Sequence, residues 1–250
     1  MPLTDHPAGN YRFLPGIAPY SCGVASAPGF EIVHATLQQP LPYRAGFERI
    51  ARHLAECGRP KAALCGIELR SPRPYSFAGF AVFNAEYATI LRDWGVFVGG
   101  VNPVPRTNVA PLVGAPSEPV LYGFSYTMPA AGNPAPTIIV AGGGELPEGV
   151  LAREAIVALG DTSPHGMAAK AAFVMDLMEN RLRALGGDWP HATAINVYTV
   201  HPIDGLLPRL ILGRIGSTAI HGVHWHYSRP PIDEIEFEMD LRCVRTEIRL

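Results

Sequence analysis

Apolar residues along this chain recur first at helical and then at strand spacing, and that succession is used twice. From Gly46 to Pro72, Phe47, Ile50, Ala51 and Leu54 form a helical stripe. Gly58 breaks it, Cys65, Ile67 and Leu69 then alternate as in a strand, and Pro72 ends the segment. From Ala172 to Pro202 the same order returns: Val174, Leu177, Met178, Leu182 and Leu185 as a stripe, Gly186 and Gly187 as the break, Ile195, Val197 and Thr199 in alternation. Gly187 lies 129 residues after Gly58, and Pro202 lies 130 after Pro72. A repeat of about half the chain predicts two related α+β modules, because solenoids are built from several units of roughly 20–50 residues.

The first copy has a second amphipathic helix, Phe80 to Trp94, with Phe80, Phe83, Tyr87, Leu91 and Trp94 on one stripe. The second has only a short counterpart near Gly205 to Leu212, interrupted by Pro208. Between the copies, Met128 to Pro136 reads MPAAGNPAP, a linker composition that divides the chain into modules 1–130 and 136–250. The closing segment, Glu234 to Cys243, alternates strictly: Ile235, Phe237, Met239, Leu241 and Cys243 on one face, and Glu234, Glu236, Glu238, Asp240 and Arg242 on the other. The default reading of such a strand is an antiparallel sheet with one solvated face.

Composition narrows the partners. With 250 residues, 48% hydrophobic and 17% charged, the chain has enough apolar material for one large core or two small ones. A net charge of −2 without a basic run argues against nucleic acid and favours a small molecule. The longest apolar runs fall far short of the roughly 18 residues of a membrane span, and Met1 to Asn10 has no signal-peptide pattern. The expectation is a soluble, cytoplasmic protein. Cys22, Cys57, Cys65 and Cys243 show no paired spacing, so reduced thiols are expected rather than disulfides or a zinc site.

A series of short motifs then follows in a telling order. Pro19-Tyr20-Ser21, Phe30-Glu31-Ile32-Val33, the helix ending at Gly58, Phe83-Asn84-Ala85-Glu86-Tyr87 and Pro103-Val104-Pro105-Arg106-Thr107-Asn108-Val109 are joined, late in the chain, by Pro230 and Glu236-Phe237-Glu238. In order and spacing this resembles the Rid family of YjgF-like reactive-intermediate deaminases, met here as two diverged copies. The resemblance implies chorismate-mutase-like α+β modules in tandem, each a curved sheet backed by helices, assembled as a trimer with ligand clefts between modules. It also implies hydrolysis of an imine or enamine with release of ammonia, and a substrate carboxylate held by the arginine of the P-x-R turn, here Arg106. A guanidinium suits that task because its planar fork meets a carboxylate through two parallel hydrogen bonds. No cofactor is called for.

Neither copy carries the whole pattern. Where the first should have its acidic strand it reads Val120-Leu121-Tyr122-Gly123-Phe124. By equal spacing, the second has His221 where the first has Arg106. Either the chain is a ligand-binding or regulatory scaffold, or the copies share one composite cleft. In the composite reading Arg106 anchors a carboxylate, Glu238 or Glu236 positions or deprotonates water, and Tyr20, Ser21, Asn84 and Asn108 complete the pocket. A chorismatase-like or ring-opening hydrolase or lyase is a further alternative. His224 and His226 share a strand face and are better read as cleft-lining, or as a hydrogen-bonded core pair around Trp225, than as metal ligands, since no further ligand follows at usable spacing. Gly142-Gly143-Gly144 reads as a turn rather than a phosphate loop, and Ser21 and Ser163 lack a nucleophile-elbow context.

Overall fold

The computed structural model of the protein describes residues 2–132 and 134–250. In chain order its strands are β1 (Thr4–His6), β2 (Tyr11–Leu14), β3 (Gly23–Ser26), β4 (Phe30–Pro42), β5 (Leu64–Arg70), β6 (Arg106–Pro111) and β7 (Val120–Pro129). There follow β8 (Ile138–Gly144), β9 (Ala194–Tyr198), β10 (His224–His226), β11 (Ser228–Arg229), β12 (Glu238–Cys243) and β13 (Thr246–Arg249). Three long helices, α1 (Tyr43–Glu56), α2 (Phe77–Asp93) and α3 (Pro164–Ala184), accompany them. Among the described residues no helix is long and apolar enough to cross a membrane.

The fold is mixed α+β, with two sheets ordered β11-β6-β5-β7-β4-β13 and β1-β2-β3-β8-β12-β9-β10. Each contains the same four-strand arrangement, β6-β5-β7-β4 in one and β10-β9-β12-β8 in the other. The first pair is parallel and the next two are antiparallel in both. The ends of the chain cross over: β3 pairs with β8, whereas β11 and β13 pair with β6 and β4. Each sheet therefore takes strands from both halves of the sequence. The predicted linker is the connection from β7 to β8; its Asn133 lies outside the described residues.

Helix packing follows the apolar stripes. Phe47, Ile50 and Leu54 of α1 and Phe83, Tyr87 and Leu91 of α2 bury against Ile67, Leu69 and Phe124. Val174, Met178 and Leu182 of α3 bury against Val140, Ile195, Val197, Met239 and Leu241. Each such side chain contributes on the order of 1.5–3 kcal/mol by leaving water. Ser163 caps α3, its hydroxyl accepting from the Gly166 amide at 3.2 Å. Gly58 and Gly186, both with positive φ, follow α1 and α3 and reverse the chain. The counterpart of α2 is a π-helical stretch, Leu207–Leu212, wound around Pro208.

The closing strand departs from its predicted form in two ways. It begins at Glu238, because Glu234 takes a left-handed conformation at φ 71° and the chain turns through Asp233 to Glu236. Its polar face is also not solvated. Glu238 and Asp240 are each only 4% exposed, because that face is turned toward the other sheet: Thr107 of β6 donates to Asp240 at 2.6 Å and Arg242 approaches Glu68 of β5 at 3.7 Å.

Candidate active site

Arg106 opens β6 at a point where three elements converge. Ser21 donates its hydroxyl to the Pro103 carbonyl at 2.7 Å and its amide to Val104, fastening the P-x-R turn to the segment before β3. The guanidinium lies 3% exposed among Tyr20, Phe80, Phe83 and Tyr87, with ring centroids 4.6–5.5 Å away. These faces stabilise a cation without neutralising it. Nη2 donates to Asn84 Oδ1 of α2 at 2.6 Å, while Nε and Nη1 have no protein acceptor. A buried, charged donor left unpaired is costly, and a carboxylate can satisfy one of these donors together with the second hydrogen of Nη2, along one edge of the guanidinium.

The same cavity, about 80 Å³, is lined by Tyr20, Arg106 and Asn108 from the N-terminal half and by Gly142, Arg181 and Glu238 from the C-terminal half. Burial, reinforced by the charge of Asp240, pushes the Glu238 carboxyl well above the usual carboxylate range; Arg181 and Arg106 oppose this. Glu238 thus keeps its proton to higher pH than an exposed carboxyl does. Burial also pushes the Tyr20 phenol up to about 12 and the Cys22 thiol, at the cavity edge, up to about 11. Both stay protonated, so Cys22 is no nucleophile at neutral pH. Asn108 accepts from Ser71 at 2.9 Å and keeps its Nδ2 donor without a protein partner.

Gly142, Gly143 and Gly144 are the end of β8, not a turn: Gly144 pairs with Glu238 and Gly143 with Met239, and Gly142 lies at the register shift that follows. A Cβ on Gly143 would come within 2.8 Å of Leu177 and 3.0 Å of Arg181; one on Gly142 would run into Glu238 and meet Thr107 at 3.1 Å. The glycines let the cavity floor lie against both walls. Arg181 of α3 donates to both carboxylate oxygens of Glu148, at 2.6 and 3.1 Å, and through Nη1 to the carbonyls of Ala141 and Gly142.

The model of the 2-aminomuconate deaminase CnbZ family matches residues 3–248. The chain belongs to that family. A 2-amino-5-chloromuconate deaminase of Comamonas testosteroni is 41% identical over 237 residues, 94% of this chain and 93% of that protein. Of solved structures, a chorismatase covers 89% of this chain and 77% of its own at a TM-score of 0.53 and 12% identity, a likeness of fold alone. A putative endoribonuclease of Thermotoga maritima matches 47% of this chain and 83% of its own, with a TM-score of 0.31 and 15% identity. The chain is accordingly a member of an enzyme family of deaminases.

Of the residues singled out in the sequence, Tyr20, Arg106, Asn108 and Glu238 line one cavity, and Asn84 touches it through Arg106. Ser21 is fully buried in the turn and serves its geometry. Glu236 is not with them: lying before β12, it pairs with His201 at 2.9 Å and Arg229 at 3.1 Å. Its backbone amide is held by Glu145 at 2.7 Å, so the turn that frees Glu238 to face inward carries Glu236 away. Arg106 is opposite Ile67 on β5, whose core-facing counterpart on β9 is Val197, 130 residues later; Val197 is opposite Trp225, so Trp225, and not His221, stands in the ladder position of Arg106. His224 and His226 approach the Asn196 Oδ1 at 3.2 and 3.4 Å and line a separate cavity with His34, Glu68, Tyr122 and Arg242. Trp225 between them is 46% exposed, so they form no core pair around it.

Arg181 and Glu148 escape the sequence reading, which takes the three glycines only as a turn. For Arg181 a signal was present: it falls four residues after Leu177 and three after Met178, so a charge sits on the apolar stripe of α3. Glu148, in a loop without periodicity, offered none.

Proposed function

We propose that this protein is a hydrolytic deaminase of an aminomuconate-type acid, an unsaturated dicarboxylate bearing an enamine. The observation that carries this reading is the meeting of Arg106 and Glu238, from the two halves of the chain, in one cavity of a protein of this family. Arg106 takes the carboxylate beside the amino-bearing carbon along one edge of its guanidinium, through an unpaired N–H group and the second hydrogen of Nη2, and the Asn108 amide adds a donor. Glu238, protonated, gives its proton to the dienamine carbon, and the amino-bearing carbon becomes an iminium. The resulting carboxylate then draws a proton from water as its oxygen adds to that carbon. Glu238 returns the proton to nitrogen, the C–N bond breaks, ammonia leaves, and the hydroxyl proton passes to Glu238 as the C=O bond forms. One water is consumed and one 2-oxo acid and one ammonia are produced. The chemistry needs orientation and a proton relay rather than a side-chain nucleophile.

The shared four-strand arrangement supports reading the sheets as two diverged copies of one Rid-like module, with modules 1–130 and 136–250 exchanging their outer strands. An assembly of such chains, most simply a trimer, is supported by exposed Leu112, Val113, Trp225 and Tyr227, gathered where Leu112 donates to the Tyr227 carbonyl at 3.1 Å beside the edge strands β10 and β11. The direct test is ammonia release from 2-aminomuconate by the purified protein. Turnover supports the reading. Tight binding of muconate without ammonia release would instead favour a regulatory protein using the same cavity.

A further inference from the structure

The proposed substrate has two carboxylates, whereas the mechanism above uses an anchor for one. The cavity holds a second guanidinium. Arg181 is 7% exposed, and its Nη1 is fixed to the β8 floor through Ala141 and Gly142, which leaves the Nε–Nη2 edge as a fork. That fork is filled by Glu148 in two-point geometry. Glu148 reaches the cavity from its outer side, where Cys22 Sγ also donates to its Oε2 at 3.5 Å. Its side chain is 36% exposed, and it sits in a run from Pro147 to Glu154 that is exposed throughout, beyond the last residue of β8.

Charge decides what this pair does. Around the cavity Tyr20 and Cys22 keep their protons and burial favours the protonated form of Glu238, so the charges that face the bound acid are Arg106, Arg181 and Glu148. The next carboxylate, Glu145, is committed to Lys170 at 3.0 Å. With Glu148 in place the site has one uncompensated cation and suits one carboxylate. A diacid brought in beside Glu148 would leave a net negative charge in a desolvated cavity, which is expensive. With Glu148 turned out to water, two guanidiniums meet two carboxylates.

We propose that Glu148 occupies the place of the substrate's second carboxylate, and that a dicarboxylic acid binds by displacing it from Arg181. The inference rests on the cavity being the deaminase site. It makes Arg181 the residue that selects diacids over monoacids, and the Glu148 loop the gate that only a second carboxylate releases.

The test is calorimetric titration of the full chain with muconate and with sorbate, the same diene with a methyl group in place of one carboxylate. Wild type should prefer muconate. Glu148→Ala should tighten muconate by about tenfold if the open form is roughly a tenth of the free protein, since removing a resident competitor restores the competent fraction. Sorbate should stay within about twofold, as it gains nothing from a free Arg181. Arg181→Gln should weaken muconate by about tenfold or more and leave sorbate nearly unchanged. Should that variant fail to fold, Glu148→Ala alone decides the matter. Unchanged or weaker muconate binding in Glu148→Ala, or an equal change for both acids, would overturn the proposal while leaving the Arg106 site intact. Loss of both acids only in Arg106→Lys would then show which reading survives. If wild type binds neither acid, both readings fall.

Discussion

Arg106 and Glu238 are both placed where water would not put them. The guanidinium is surrounded by four rings and leaves two donors unpaired; the carboxyl is buried, and burial favours its protonated form. Arg106→Ala should therefore cost about 3 kcal/mol of transition-state binding, as for a truncated buried charge contact, or a factor of roughly 100 in kcat/KM. Arg106→Lys should recover only part, because an ammonium cannot reproduce the fork. Glu238→Gln should lower kcat by roughly 10²–10⁴, and wild-type activity should fall on the alkaline side as Glu238 ionises. A stability signature separates this from general damage. Folded Glu238 holds its proton to higher pH than in the unfolded chain, so in that window the native state binds more protons and stability falls as pH rises. Thermal melts of Glu238→Gln should then lie above wild type at pH 8 and converge with it near pH 4. A variant less stable than wild type at pH 8 would contradict the assignment.

At the level of elements, legibility followed periodicity. The stripes of α1, α2 and α3 and the alternation of β5, β9 and β12 were all readable, because each is amphipathic against a single core. The destination of the polar face of β12 was not. Strict alternation is the same whether Glu238 and Asp240 meet water or another sheet, and the partners that distinguish the cases, such as Thr107 and Glu68, lie more than 130 residues earlier in the chain. The glycines of β8 misled for a related reason: three in succession suggest a turn locally, and their need arises from Glu238, Thr107, Leu177 and Arg181 packing on both sides of the strand. Gly142→Ala should push the Glu238 carboxyl out of place, destabilise the fold by about 1–3 kcal/mol and cut turnover, which melts and ammonia release would record. The polar interface between the sheets makes a second prediction. Burial, with Arg242 nearby, pushes the imidazole of His34 on β4 down to about 3, and burial with Arg70 nearby takes His226 on β10 to about 4. The 3.5 Å approach of His34 to Glu68 is thus no ion pair at neutral pH. The unfolded chain takes up these protons first, below about pH 6.5, so stability should drop between there and pH 4. In His34→Asn the acid-side fall of the melting temperature should be shallower.

Across the whole molecule, the informative signal was complementary loss: an arginine turn without its acids in one half, acids without the arginine in the other. That pattern pointed to Arg106 and Glu238. It could not show that Glu236 leaves the strand or that Arg181 joins the cavity, because both depend on how the halves interleave through β3, β8, β11 and β13. If the exposed apolar edge around Leu112, Trp225 and Tyr227 is an assembly surface, light scattering at micromolar concentration should give a multiple of 26.9 kDa, most simply three, and Leu112→Glu should reduce it. The central claim, however, is that the two halves build one acid-binding site. A crystal structure of the protein with muconate bound tests it most directly. The account predicts one carboxylate of the acid on the free edge of Arg106, with the adjacent carbon against the carboxyl of Glu238. Muconate in the cavity lined by His34 and His224, or anywhere that leaves Arg106 without a carboxylate, would contradict it.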